Sequence, residues 1–238
     1  MQATIIIPAY QPTAVLLELI TELRFVRPQQ TIIVVDDGST QPEAKAVLTK
    51  LNGVNLVKHR VNFGKGQALK TGFRTYLLHA DATSPGVVTA DADGQHAIAD
   101  MINLCEKLEG HPESLHLGAR HFSKQIPFRS QIGNRCTRFI FKKMLKISIR
   151  DTQTGLRGIP KDFLTRLLLL ESKGYEFEME MLLEAGRQKI PIRETDIATI
   201  YQDNNRSSHF KPLKDSFKIY RSLFFHRTVK KTTDPAVF

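Results

Sequence analysis

The chain contains no tryptophan and only two cysteines, and its apolar runs, such as those at residues 5–7 and 167–170, do not exceed four residues. A membrane-crossing helix needs about 18 consecutive apolar residues, so no span is expected and the chain reads as soluble or peripheral. Cys105 and Cys136 lack C-x-x-C spacing, which removes a thiolate zinc site and fits buried structural thiols in a reducing compartment. No Pro-, Gly- or Ser-rich linker divides the 238 residues, and no internal repeat or low-complexity segment occurs. One main domain over residues 1–211 is expected, followed at 212–238 by an amphipathic helix and a disordered tail. The first apolar segment begins almost at residue 1, leaving no room for a leader before it, so the expectation is a cytoplasmic protein. Acidic residues are the scarce charge, 24 against 34 Lys and Arg, for a net +10 and a pI near 9.7. That balance predicts attraction to nucleic acid, an anionic membrane surface or phosphorylated small molecules, without choosing among them.

What is present is an alternation of short apolar strands with amphipathic helices. Residues 5–7 read as a strand ended by Pro8, and Pro12 opens a helix in which Val15, Leu16, Leu19, Ile20 and Leu23 recur at three and four. Residues 31–35 read as the next strand, 42–51 as a helix with Ala44, Val47, Leu48 and Leu51 on one face, and 54–57 as a third strand. Gly64 and Gly66 precede a helix over 67–80, and 86–90 form a fourth strand. This β-α-β-α-β-α-β order is the pattern of a parallel sheet covered on both faces, a doubly wound nucleotide-binding layer. Further on, a helix is expected around 98–108, a strand at 115–119, helices at 163–170 and 177–183, and a strand at 190–201. Residues 128–147 and 213–225 mix Lys and Arg with large apolar side chains, a composition shared by surface-lying membrane helices and by ordinary amphipathic helices.

The fourth strand runs directly into Asp91, Ala92, Asp93, Gly94, Gln95 and His96. Two carboxylates and an amide oxygen at a strand exit suit a hard divalent cation, which takes oxygen ligands and commonly shares them with a substrate phosphate. In open α/β sheets ligands bind where parallel strands end, so residues 8–10, 36–39 and 91–95 should meet in one crevice. There Tyr10 can lie against a base, Asp37 can accept a hydrogen bond from a base N–H, and Asp91 with Asp93 can hold the cation that bridges diphosphate oxygens. The Asp36–Asp37 pair also fits an Asx turn leading into the following helix. The DADGQ cluster is similar to the first motif of haloacid-dehalogenase-type phosphatases. However, Gln95 stands where that motif has Thr or Val, the cluster follows the fourth strand rather than the first, and the later Lys and acidic pair are not found.

Taken together, IIIPAY, VVDDGS, NFGKGQALKTGF, TADADGQH, LGAR, DTQTGLRG and YQDNNRSSHF resemble glycosyltransferase family 2, and more narrowly its polyprenyl-phosphate sugar transferases, over residues 4–220. The resemblance implies a GT-A fold with a mostly parallel, doubly wound sheet. It also implies inverting transfer from a nucleotide sugar, with Mg2+ or Mn2+ as cofactor. Carried over by position, Pro8, Ala9, Tyr10 and Asp37 would contact the nucleoside, with Gly64 and Lys65 in a glycine-rich segment that permits close backbone approach. Asp91, Asp93 and Gln95 would surround the metal, with Ala92 between them against the nucleotide sugar. Arg120 and Arg129 match arginines that face the acceptor phosphate, with Arg135 a further candidate, because a guanidinium fork matches two phosphate oxygens. Asp151, which opens DTQTG, is either a base or a group that orients an arginine. A phosphate acceptor is already anionic near neutral pH, so positioning and neutralisation of the departing diphosphate carry most of the work.

Two departures stand out. Gln11 and Pro12 replace the family's Asn and Glu after IIIPAY, which leaves base selection open. Asn204, Asn205, Arg206, Ser207, Ser208 and His209 replace its closing basic pattern, so Arg206 and His209 are candidate diphosphate or lid residues. The expected acceptor is an undecaprenyl or dolichyl phosphate at the cytoplasmic membrane face, reached through an anionic membrane surface or a membrane partner protein, with no nucleic acid and with a possible homo-oligomer. The alternatives are a saccharide hydroxyl acceptor in cell-envelope polysaccharide synthesis, which would require a base, and a non-catalytic polyanion-binding module.

Overall fold

A computed structural model describes residues 2–120 and 149–198. Its elements in chain order are β1 (Thr4–Ala9), α1 (Ala14–Val26), β2 (Ile32–Asp36), α2 (Pro42–Thr49), β3 (Asn55–Lys58), α3 (Lys65–Leu77), β4 (Gly86–Thr89), α4 (Ile98–Gly110), β5 (Leu115–Arg120), β6 (Arg157–Pro160), α5 (Lys161–Leu167), α6 (Glu176–Arg187) and β7 (Ile192–Ile197). The strands form one seven-stranded sheet in the order β3-β2-β1-β4-β6-β5-β7. β1, β2, β3 and β4 pair in parallel, β7 is parallel to β5, and β6 runs antiparallel to both β4 and β5.

The apolar periodicities explain the layers. Successive side chains of a strand point to opposite faces, so the fully buried Ile5 and Ile7 join Leu16, Leu19, Ile20 and Leu23 of α1 and Met101, Leu104, Cys105 and Leu108 of α4 on one side. Ile6 points to the other side, among Leu69 and Phe73 of α3, Phe163 and Leu164 of α5, and Phe177 and Met181 of α6. Burying such a side chain contributes roughly 1.5–3 kcal/mol, so a β1 buried on both faces makes its exit one of the best-anchored points of the molecule.

Register sets where the strand exits fall. Ala9 lies opposite Asp36 across β1–β2, and Ile6 lies opposite Thr89 across β1–β4, with Ala90 N donating to Ile6 O. The residues that follow β1, β2 and β4 therefore leave the sheet at one edge.

The expected alternation is observed through β5, with helix ends shifted by a few residues. The strand expected over 190–201 spans Ile192–Ile197 among the described residues. β6 is an addition: its four residues, RGIP, were not expected to form a strand. The basic stretch 128–147 and the stretch 213–225 lie outside the described residues, as do Cys136, Arg129, Arg135, Arg206 and His209.

Candidate active site

The DADGQ turn follows β4 at the shared edge. Asp93 Oδ1 accepts a hydrogen bond from Gln95 N at 3.1 Å, which closes the turn and leaves Asp91 and Asp93 on the same short segment. Burial raises the Asp93 carboxyl above its ordinary range, and the neighbouring Asp91 charge raises it further. Burial also opposes ionisation of Asp91, but the Lys65 ammonium and His96 outweigh it and hold that carboxyl well below the carboxylate range. Two like charges forced together in partly buried surroundings form a donor set that a dication relieves. Among the described residues no group of three or more His, Cys, Asp or Glu side chains could hold an ion. Asp91 and Asp93 would therefore need further oxygens, from the Gln95 amide and from water or a bound diphosphate. Those donors are all hard oxygens, which fits Mg2+ or Mn2+.

Lys65 opens α3, and its Nζ lies 2.7 Å from Asp91 Oδ1 and 3.1 Å from Glu178 Oε2 on α6. Burial alone would lower its pKa, but the two carboxylates raise it above the ordinary lysine value. On the other oxygen of Asp91, His96 Nε2 stands 3.4 Å from Oδ2. His96 is buried, and its ring nitrogens make no hydrogen bond among the described residues. Behind the same carboxylate runs the backbone of Gly155, where a Cβ would stand 2.3 Å from Asp91 Oδ2. Only glycine lets the DTQTG loop come this close.

Asp37 sits at the exit of β2, where its backbone N donates to Ala9 O. It is the expected acceptor for a base N–H, and in the folded chain its carboxylate also has protein donors. Oδ1 accepts from His59 Nδ1 at 2.7 Å and Phe63 N at 2.9 Å, and Oδ2 accepts from Gly64 N at 2.8 Å. His59 in turn pairs through Nε2 with Thr71 Oγ1 at 2.9 Å, tying β3 to α3. Asp37 thereby fixes the start of the glycine-rich segment, whose small residues serve a protein contact here: a Cβ on Gly64, at φ +99°, would meet Lys173 O at 2.6 Å. Asp36 Oδ1 accepts from Ser39 N at 2.9 Å, three residues on, so it braces the loop instead of closing the expected Asx turn, and α2 is entered through Gln41 without a side-chain cap. Pro8 and Ala9 lie in β1 beside Val35 and Asp36, Tyr10 is exposed at that edge, and Ala92 packs partly against the core.

The second half of the site is an arginine held from below. Asp151 is fully buried, and Arg120 at the end of β5 grips it with Nε to Oδ2 at 2.7 Å and Nη2 to Oδ1 at 3.2 Å. Asp151 Oδ1 also accepts from Gln153 N at 3.0 Å. The loop from 151 to 155 thus contacts Arg120 at one end and Asp91 at the other, and Thr89 Oγ1 anchors it by donating to Gly155 O at 2.8 Å. Below it Arg157 is buried: Nε donates to Thr154 O, Nη2 to Thr152 O, and Nη1 to Glu178 O. Burial lowers the Arg157 pKa, against the opposing charges of Glu178, Asp151 and Asp91.

Sequence reasoning brought together Asp91, Asp93, Gln95, Lys65, Arg120 and Asp151, and these converge at the sheet edge. It missed His96, Gly155 and Arg157, although all three lie inside motifs already singled out. It also missed His59 and Glu178, which no local pattern marks.

The family model described as Glycosyl transferase family 2 matches residues 4–168. The chain is 31% identical over 221 residues to the UDP-N-acetylglucosamine–dolichyl-phosphate N-acetylglucosaminyltransferase of Methanococcus voltae, covering 84% of this chain and 86% of that one. It is 25% identical to the polyprenol monophosphomannose synthase of Mycolicibacterium smegmatis, over 87% of this chain and 84% of that one. Its architecture matches that of glucosyl-3-phosphoglycerate synthase from Mycobacterium tuberculosis in complex with Mn2+, UDP and glucosyl-3-phosphoglycerate, with a TM-score of 0.63 at 16% identity, over 93% of this chain and 77% of that chain. The mixed sheet with helices on both faces is the GT-A fold.

Proposed function

Because the chain belongs to glycosyl transferase family 2, we propose that it transfers one sugar, with inversion, from a UDP- or GDP-sugar to the phosphate of a polyprenyl phosphate. One observation favours this acceptor. The Asp151 carboxylate is buried and occupied by the Arg120 fork and by Gln153 N, so it is poorly placed to take a proton. An acceptor hydroxyl needs a base in reach, whereas a phosphate oxygen attacks as the anion it already is. Asp151 is therefore an orienting group, and Arg120 the group it aims at the acceptor phosphate.

The remaining roles follow from position. Asp91, Asp93 and the Gln95 amide would hold the divalent cation, which when bound supplies charge neutralisation for the departing diphosphate. Tyr10 at the exit of β1 offers an aromatic face to the base. Arg120 and Lys65 add positive charge on either side of the loop over residues 151–155, where negative charge gathers as the glycosidic bond to the diphosphate breaks. Arg129 and Arg135 would face the acceptor phosphate, as the family resemblance implies, and Arg206, in the loop that departs from the family pattern, would face the diphosphate.

A lipid acceptor requires contact with a membrane. Among the described residues no helix is long and apolar enough to cross one. The net charge of +10 supports attachment to an anionic cytoplasmic face. Liposome flotation should then depend on anionic lipid and weaken with added salt.

The test of the activity is direct: labelled UDP-glucose, UDP-GlcNAc and GDP-mannose are each incubated with the protein, undecaprenyl phosphate and Mn2+, and lipid-linked product is extracted. Label in the lipid phase from one donor supports the proposal. Label transferred only to a saccharide hydroxyl acceptor, with none in lipid, refutes it.

A further inference from the structure

One ammonium is shared between two carboxylates of different kinds. Lys65 Nζ contacts Asp91 Oδ1 at 2.7 Å and Glu178 Oε2 at 3.1 Å. Asp91 is the proposed cation ligand, whereas Glu178 lies in the first turn of α6 with its Oε1 buried and accepting no hydrogen bond among the described residues. The far side of Asp91 is closed, because Oδ2 faces His96 at 3.4 Å and the Gly155 backbone. A dication approaching Asp91 therefore meets Lys65 at Oδ1, and two cations on one oxygen repel strongly.

We infer that Lys65 is the resident counter-charge of Asp91 and that Glu178 is the seat to which it withdraws when a dication takes Asp91. Glu178 is then a positioning residue that acts through Lys65. The lysine stem is flexible and its ammonium carries three donors, so a small rotation toward α6 frees Asp91 Oδ1 and gives Glu178 Oε1 the donor it lacks. The Tyr175 ring, 5.7 Å from Nζ and immediately before α6, keeps an aromatic surface beside the ammonium. In the exchange Asp91 takes the dication in place of the ammonium, and Lys65 keeps a carboxylate partner in Glu178.

This inference rests on the reading of Asp91 as a metal ligand, and the experiment separates the two. Mn2+ binding without donor is measured by the loss of the free-ion electron paramagnetic resonance signal, with thermal melts on the same samples. Lys65→Met should bind Mn2+ about tenfold more tightly than wild type, because the competing cation is gone. Glu178→Gln should bind about tenfold more weakly, because Lys65 is left on Asp91. The double variant should match Lys65→Met, since the seat has no lysine to receive. If the Glu178→Gln penalty persists undiminished in the Lys65→Met background, Glu178 acts directly on the ion and the inference falls. An unchanged Mn2+ affinity in Lys65→Met also overturns it. Should Lys65→Met melt below the assay temperature, Lys65→Gln removes the same charge with a hydrophilic side chain and carries the same expectations. Asp91→Asn is the separate control: if it binds Mn2+ as wild type does, Asp91 is not a ligand and the underlying reading is what fails.

Discussion

Gly155→Ala tests whether the DTQTG loop and the Asp91 carboxylate form one unit. The added Cβ would stand 2.3 Å from Asp91 Oδ2, 2.8 Å from Cγ and 2.9 Å from Oδ1. Relief to ordinary contact requires a shift of about 1 Å, since optimal non-bonded heavy-atom separations are about 3.5 Å. Neither side yields freely: Asp91 Oδ1 is held by Lys65 at 2.7 Å, and Gly155 O is held by Thr89 Oγ1 at 2.8 Å. Overpacking of this kind costs about 1–3 kcal/mol. For a chain of this size each kcal/mol lowers Tm by roughly 2–4 °C, so a fall of about 2–12 °C is expected. A ~1 Å misplacement of a reacting group lowers turnover by about 100-fold. Gly110→Ala is the matched control, because a Cβ at that exposed position meets nothing within 4 Å. Differential scanning fluorimetry and initial rates with donor, undecaprenyl phosphate and Mn2+ give the two readouts. If Gly155→Ala keeps both the melting temperature and the rate of Gly110→Ala, the loop does not support Asp91 and the argument is wrong.

Other expectations follow from the same contacts. Asp151→Asn weakens a charge-assisted fork on Arg120; it should lower stability by about 1.5–3 kcal/mol and kcat/KM by at least about tenfold, and wild-type kinetics would contradict the orienting role. Arg157→Met leaves the carbonyls of Thr152, Thr154 and Glu178 without their donor, so urea melts should show a loss of about 3 kcal/mol or more. Arg157→Lys should not restore it, because one ammonium cannot reproduce the fork. The Asp91 carboxyl is depressed despite its burial, chiefly by Lys65, so its stabilising effect is present above the ordinary Asp value near 4 and is lost as pH falls through the folded value. Wild-type stability should decline below about pH 4 with up to about 1.4 kcal/mol per pH unit from this group, and Lys65→Met should flatten that limb; equal slopes in urea melts from pH 5 to 2.5 would refute the coupling.

Much of the parallel half could be read in advance because its strands are short apolar runs buried on both faces and its helices carry their apolar residues at three and four. Ile5, Ile6 and Ile7 are all fully buried, as a doubly covered strand requires. β6 escaped notice for a physical reason. It begins with a buried arginine and ends with a proline, and an arginine reads as surface until the carbonyls that satisfy it are brought together by the fold. The Arg120–Asp151 grip joins residues 31 positions apart, and the Lys65–Glu178 contact joins α3 to α6; neither leaves a local signature. Asp37 was found through its motif, but its partners were not: its hydrogen bonds from Phe63 and Gly64 come from backbone, which carries no side-chain code.

The reversed direction of β6 brings the chain back to the rim that it left at Arg120. Because β6 opposes both its neighbours, the chain comes into it at the same rim where β4 and β5 leave, and Arg120 and Asp151 lie together there. Chimeras joined at Arg120 and Ile149 would therefore swap a single cassette between two cut points beside the acidic turn, leaving Asp91, Asp93 and the loop beneath them native. A change in which acceptor is used, without a change in which donor is used, would support the proposed placing of Arg129 and Arg135 at the acceptor phosphate, and unchanged acceptor use would contradict it.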